Sequence, residues 1–124
     1  MTHELSWEPE GLHLKWGDTI DVQGLIASNS EMVGHREFEN IRYLLWDASD
    51  ITYVNLDESV VTMSAQFTAQ VEQYNPNIKL AFIAKEQNLL KLIEDYMQTV
   101  IKLVPDTQHQ VFSNAEDARN WALA

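Results

Sequence analysis

Two apolar stretches decide the fold: residues 41–46 read IRYLLW and residues 78–84 read IKLAFIA. Both are nearly continuous in apolar side chains, which is typical of a strand that is covered on both faces. Between them, apolar residues from Val60 to Tyr74 recur every three or four positions, which predicts a helix. A strand, a helix and a second buried strand in this order indicate a βαβ unit with two parallel strands.

The N-terminal segment predicts a β-hairpin. Apolar and polar side chains alternate from Leu5 to Trp7 and again from Leu12 to Trp16, as in strands with one buried face. The stretch between them, Pro9-Glu10-Gly11, has the composition of a turn, with Gly11 as the residue that tolerates a positive φ. The hairpin would add an antiparallel edge to the sheet.

Four helices and a final short strand complete the predicted chain. Three helices are expected over residues 21–33, 57–74 and 86–104, and a fourth begins at a capping box at Ser113–Glu116. The short strand is expected over residues 109–112. On the first helix we expect one buried face with Val22, Leu25, Ile26 and Val33. The order ββαβαβαβα predicts one α/β domain over residues 1–124, with a mixed five-stranded sheet and about four helices.

Composition excludes several classes of function. The 124 residues contain 19 acidic and 8 basic side chains, a formal net charge of −11, and no cysteine. This charge argues against nucleic-acid binding, and without cysteine no disulfide, thiolate metal site or thiol nucleophile can form. The acidic N-terminus lacks the features of a signal peptide, so we expect a cytoplasmic protein. Residues 61–124 carry 7 acids and 5 bases, which leaves a membrane or apolar partner open for that half.

Several short stretches carry a resemblance to a known family. They are Gly11-Leu12, Leu44-Leu45-Trp46-Asp47, Asp50-Ile51-Thr52, Leu56-Asp57, Asn75-Pro76-Asn77-Ile78-Lys79, Ala115-Glu116-Asp117-Ala118 and Trp121. In this order they resemble the SpoIIAA-like family, whose fold is that of STAS domains (sulphate transporter and anti-sigma-factor antagonist). The resemblance covers roughly residues 10–123 and implies a STAS-like fold.

The resemblance also implies a phosphoacceptor position. Anti-sigma antagonists carry Asp-Ser-Ser-Gly at a helix start, and the matching residues here are Asp57-Glu58-Ser59-Val60. Ser59 would then be the phosphorylated serine, while Glu58 and Val60 depart from the motif. A phosphate is favourable at a helix N-terminus, but the two preceding acidic residues oppose further negative charge. The alternative is an ordinary first-turn serine beside its N-cap.

Three aspartates, Asp47, Asp50 and Asp57, surround one predicted loop beyond the carboxyl end of a central strand, where open α/β sheets bind ligands. Such carboxylates bind Mg²⁺ or Ca²⁺ or act in acid–base chemistry, and they are also ordinary turn and capping residues. The sequence contains no closely spaced histidine pair, nucleophile elbow or phosphate-binding glycine loop. We therefore predict no metal, cofactor or catalytic residue, and a protein that is not an enzyme.

Helix 86–104 is more apolar than a single buried stripe requires. Leu92, Tyr96 and Leu103 form a second apolar row beside its core stripe. The helix is either simply a wide core helix, or it forms a dimer contact, covers an apolar ligand pocket, or inserts transiently at a membrane surface. The STAS fold is similar to that of CRAL-TRIO lipid-binding domains, which favours the pocket. The side chains predicted for this surface are Met63, Phe67, Leu92, Tyr96, Met97 and Leu103.

The sequence therefore predicts a non-enzymatic STAS-like binding or regulatory module. Its working surface would combine the loop from Asp47 to Ser59 with helix 86–104. One alternative is a protein that binds a lipid or another small apolar ligand and associates with a membrane through that helix. Another is an anti-sigma-factor antagonist regulated by phosphorylation. The expected partner is a protein, a second copy of the chain in a homodimer, a small apolar ligand or a membrane surface contacted peripherally, and not a nucleic acid.

Overall fold

A computed structural model describes residues 3–124 of the chain, in which helices alternate with the strands of one central sheet. In chain order the elements are β1 (His3–Trp7), β2 (Gly11–Trp16), β3 (Thr19–Asp21), α1 (Val22–Val33), β4 (Tyr43–Ala48), β5 (Tyr53–Asn55), α2 (Glu58–Tyr74), β6 (Lys79–Ala84), α3 (Gln87–Leu103), β7 (Gln108–Phe112) and α4 (Ala115–Leu123). The strand order in the sheet is β1-β2-β4-β6-β7. Only β1 is antiparallel to its neighbour. The predicted α/β fold, with its mixed five-stranded sheet and four helices, is confirmed.

The short strands β3 and β5 were not predicted. They pair in parallel with each other and form a separate two-stranded sheet. Each has only three residues, which is too few for an alternation of apolar and polar side chains to be recognised.

Both faces of the central sheet are covered, which explains the continuous apolar stretches in β4 and β6. One face, called here the aromatic face, carries Trp16, Trp46 and Phe82, and helices α1, α2 and α3 pack against it. The opposite face, called the α4 face, packs through residues such as Leu45 and Ile83 against α4. Helix α4 lies over β4, β6 and β7. The β2 part of the α4 face carries half-exposed polar side chains instead.

The predicted capping box of α4 is wrong by one residue. Asn114, rather than Ser113, is the N-cap, and its Oδ1 accepts a hydrogen bond from the Asp117 backbone N–H at 2.8 Å. The Asn114 Nδ2 in turn donates to the Asp117 carboxylate at 3.0 Å. Asparagine caps a helix about as well as serine does, so two adjacent candidate caps cannot be ranked by sequence alone.

The predicted buried face of α1 is also wrong. Val22, Ile26 and Val33 are exposed, Ile26 by 52%, and only Leu25 of the predicted set is buried. The buried residues of α1 are Gly24, Leu25, Ser28 and Met32. Small side chains at two of these positions let the helix backbone approach the core closely, which a search for apolar periodicity does not detect.

The hairpin turn depends on Gly11 for a reason that differs from the predicted one. Neither Gly11 nor any other glycine among residues 3–124 has a positive φ. Instead, a Cβ atom built at Gly11 would overlap the ring of Tyr43 on β4. The Tyr43 hydroxyl donates to the Glu8 carboxylate, which also accepts from Arg119 Nη2 at 2.7 Å. The hairpin turn, β4 and α4 are thus joined around one tyrosine ring.

We expect Gly11→Ala to lower the free energy of unfolding by about 1 to 3 kcal/mol, because the new methyl group must displace Tyr43. Gly34→Ala is the matched control, since a Cβ there lies 3.1 Å from its nearest contact, the Ser30 carbonyl oxygen, and requires only a small adjustment. Urea unfolding curves of both variants measure the difference. Equal destabilisation by the two substitutions would contradict the steric role of Gly11.

Candidate functional site

A cavity of about 110 Å³ lies between the aromatic face of the sheet and helices α1, α2 and α3. Leu44, Trp46, Leu80 and Phe82 form its floor on β4 and β6. The walls are formed by Leu25 and Met32 of α1, Val60, Phe67 and Val71 of α2, and Leu89, Leu92, Ile93 and Tyr96 of α3. The lining is therefore mainly aliphatic and aromatic, as in pockets that bind small apolar molecules.

Within residues 3–124, polar side chains interrupt this lining at Asn29, Asp57, Ser64 and Thr68, in addition to the hydroxyl of Tyr96. Asp57 is exposed at the start of α2, so the cavity reaches the protein surface there. Thr68 is buried, and its hydroxyl lies 2.5 Å from the hydroxyl of Tyr96. Burial raises the pKa of Tyr96 above its usual range, so the phenol is protonated at neutral pH.

Half of the side chains predicted for an apolar surface meet at this cavity. Phe67, Leu92 and Tyr96 line it, whereas Met63, Met97 and Leu103 do not. Met97 packs against the core elsewhere, and Met63 and Leu103 are exposed, Leu103 by 51%. Leu103 follows Tyr96 by seven residues, roughly 10 Å further along the helix axis, which separates it from the cavity. A dimer or membrane contact through the exposed end of α3 stays a prediction.

A group of buried polar side chains that the sequence did not indicate lies behind Tyr96. The His109 ring stacks on the Tyr96 ring at a centroid distance of 5.8 Å, and its side chain is only 1% exposed. Oε2 of Glu72 lies 4.0 Å from His109 Nε2, and Glu72 accepts a hydrogen bond from Thr107 at 2.8 Å. Burial lowers the pKa of His109 to about 4 and raises that of Glu72. His109 is therefore neutral at physiological pH.

The burial of His109 follows from the pairing of β7 with β6. His109 pairs in register with Leu80 of β6 and therefore lies on the aromatic face. Because β7 is short and mostly polar, its sequence does not indicate which of its faces is buried.

The three predicted loop aspartates do not form one site. Asp47 is buried on the α4 face and accepts hydrogen bonds from His13 Nε2 at 2.8 Å and from the Ser49 hydroxyl at 2.7 Å. Asp50 is exposed, and its Oδ2 lies 3.1 Å from Nζ of Lys15. The same Nζ lies 3.5 Å from Oδ1 of Asp47. Asp57 instead caps α2 at the opening of the cavity. Residues 3–124 contain no group of three or more His, Asp or Glu side chains arranged to bind a metal ion.

Asp47 is a structural anion held by its neighbours. Burial alone would raise the pKa of Asp47, but hydrogen bonds from His13 and Ser49 and the charge of Lys15 together hold it below its usual range. Its position on β4, directly opposite Lys15 of β2 in the register, explains this arrangement. The carboxylate thus links the two strands through side chains as well as through the backbone.

Ser59 lies in the exposed first turn of α2. Its backbone N–H donates to Asp57 at 3.0 Å, and its hydroxyl donates to the same carboxylate oxygen at 2.5 Å. The hydroxyl is accessible, yet a phosphate on it would replace a capping hydrogen bond with repulsion from Asp57. Phosphorylation of Ser59 stays a prediction.

Comparisons with known proteins do not identify a family. No family model matches the chain, and no curated protein matches its sequence.

No helix in residues 3–124 is both long enough and apolar enough to cross a bilayer.

We expect Asp47→Asn to lower the free energy of unfolding by about 2 kcal/mol at pH 7, because a buried, charge-assisted hydrogen bond is weakened. A carboxylate whose pKa is lower in the folded state stabilises the fold above its unfolded pKa and loses this effect on acidification. The difference between wild type and variant should therefore shrink as the pH falls below about 4.

Asp50→Asn is the control, since it removes the exposed carboxylate that pairs with the same lysine. We expect it to change the free energy of unfolding by less than about 0.5 kcal/mol. Denaturant unfolding of both variants at pH 7 and pH 3 checks the prediction. An Asp47→Asn effect that is equally small, or that does not depend on pH, would show that Asp47 is not a structural anion.

Proposed function

We propose that the chain is a non-enzymatic binding module with a STAS-like fold, and that its cavity takes a small apolar molecule. The observation that carries this proposal is the apolar cavity of about 110 Å³ beneath α2 and α3. An engineered apolar cavity of roughly 150 Å³ in another protein binds benzene or xenon. The present cavity therefore suits a molecule of about the size of one small hydrocarbon ring.

The cost of the cavity favours binding over a packing defect. Protein interiors contain few voids larger than a water molecule. At about 24 cal/mol per Å³, an enclosed empty apolar cavity of this size costs about 3 kcal/mol of stability, which is an upper bound for a cavity that reaches the surface. A bound ligand restores the missing contacts, and the exposed side chain of Asp57 marks a route from the surface to the cavity.

The chemistry of the lining supports a binding role rather than catalysis. Asp57 and Tyr96 are its titratable side chains among the residues that the structure describes. The Asp57 carboxylate accepts the capping hydrogen bonds of α2. Tyr96 is a protonated phenol whose hydroxyl is hydrogen-bonded to the hydroxyl of Thr68. The hydroxyl that donates to Asp57 belongs to Ser59, which lies in the exposed first turn of α2 and does not line the cavity, so this contact serves as a helix cap.

The STAS-like part of the proposal rests on the order of elements. The resemblance implies strands at Gly11 and at 44–47 and a helix beginning after Asp57, and these agree with β2, β4 and α2. A binding or regulatory role follows from the resemblance only as far as this agreement in fold.

Filling the cavity should weaken binding strongly. Ser64 lines the cavity from α2, so in Ser64→Leu the added methyl groups occupy its volume. We expect the affinity for cyclopentane to fall by a factor of about 10 or more, while the unliganded variant stays folded. Chemical-shift titrations and the ligand-dependent rise in Tm measure this change.

Thr62→Leu is the matched control, because Thr62 is exposed on the same helix and does not line the cavity. It should bind cyclopentane as the wild type does. Wild-type protein that shows no saturable binding of cyclopentane, or equal binding by Ser64→Leu, would contradict the proposed function.

A further inference from the structure

Among the described residues that line the cavity, Thr68, which is buried, and Tyr96, which is half-buried, form a hydrogen-bonded hydroxyl pair. The two oxygens are 2.5 Å apart, and either hydroxyl can be the donor. Thr68 reaches the cavity from α2 and Tyr96 from α3, so the pair lies where these two helices meet. Neither side chain has another hydrogen-bond partner among the described residues.

The Thr68–Tyr96 pair has one O–H donor without an acceptor. Two hydroxyls supply two O–H donors, and the bond between them uses only one. Whichever oxygen accepts that bond still carries a proton with no protein acceptor. Buried donors without a partner are rarer and more costly than oxygen lone pairs without one. The pair is therefore complete only when an acceptor atom from outside the protein joins it.

The charge of the surroundings determines which acceptor fits. The side chains that line the cavity include no lysine, arginine or histidine within residues 3–124. The Glu72 carboxyl lies close enough to Tyr96 that its charge contributes to the raised pKa of the phenol. A ligand carboxylate would be desolvated in the cavity without a cation and would be repelled by Glu72. An uncharged carbonyl oxygen accepts one hydrogen bond without this cost.

We propose that the cavity selects a small, uncharged carbonyl compound, a ketone, aldehyde or ester with an apolar body, whose oxygen accepts the free hydroxyl proton of the Thr68–Tyr96 pair. This inference rests on the binding function proposed above and names its ligand class. Thr68 and Tyr96 determine the specificity, and the aromatic and aliphatic lining holds the body of the ligand.

A pair of probes of nearly equal size separates this proposal from the general binding function. Cyclopentanone differs from cyclopentane in one ring CH₂ group, which is replaced by a carbonyl group. In the double variant Thr68→Val/Tyr96→Phe the affinity for cyclopentanone should fall about fivefold to tenfold, because its hydrogen bond is lost. The affinity for cyclopentane should change by less than about twofold. Thr99→Val is the matched control. The Thr99 hydroxyl donates a hydrogen bond to the Asp95 backbone carbonyl on α3, and Thr99 does not line the cavity.

The wild-type complex provides a second measurement that needs no variant. The infrared carbonyl stretch of bound cyclopentanone should lie below its frequency in an alkane solvent, as expected for a hydrogen-bonded carbonyl. The anion cyclopentanecarboxylate should not bind.

The outcomes are distinguishable. If neither cyclopentane nor cyclopentanone binds the wild type, the proposed function and this inference both fail. If both bind, but the carbonyl stretch equals that in alkane or the double variant weakens cyclopentanone by less than about twofold, the cavity binds apolar molecules and the carbonyl specificity is overturned. Tight binding of the carboxylate would also overturn it.

Discussion

A row of aromatic rings across one face of the sheet is the constraint on which the rest of the structure depends. Trp16 on β2 and Trp46 on β4 have ring centroids 5.8 Å apart. Trp46 and Phe82 on β6 are 5.7 Å apart, and Phe82 meets Tyr96 of α3 edge-on at 5.5 Å. Because aromatic rings are rigid and planar, they leave gaps beneath the helices that pack against them. The rings of Trp46 and Phe82 therefore form part of the cavity floor, Tyr96 forms the wall beside them, and the space between these rings stays open.

The cavity and the polar side chains that link β2 to β4 lie on opposite faces of the sheet. The aromatic face holds the cavity, and the buried residues Glu72 and His109 lie behind its inner wall. On the α4 face, the side chains of His13, Lys15 and Asp47 join β2 to β4 where α4 does not cover the sheet. This separation explains why Asp47 contributes to stability while Asp57, ten residues later, lies at the opening of the cavity. One loop thus crosses from the structural face to the binding face.

Local patterns predict the elements, and contacts between distant residues determine the site. The apolar stretches of β4 and β6 and the Asp57 cap of α2 could be identified from sequence because each depends on neighbouring residues. The burial of His109 depends on how α3 packs on β7, and the role of Gly11 depends on a ring 32 residues away. Tyr96 was predicted as a lining residue, but its bond to Thr68 requires two helices to meet. No pattern within a single helix contains that information.

A crystal of the protein pressurised with xenon shows whether the apolar cavity is open and accessible, because xenon enters preformed apolar cavities without requiring polar contacts. We expect one strong xenon peak in the anomalous difference map, between Phe67 of α2 and Tyr96 of α3, above the ring of Phe82. The helices should keep their positions. A map without xenon at this place, with side chains closed over the sheet so that the cavity is filled, would contradict the account.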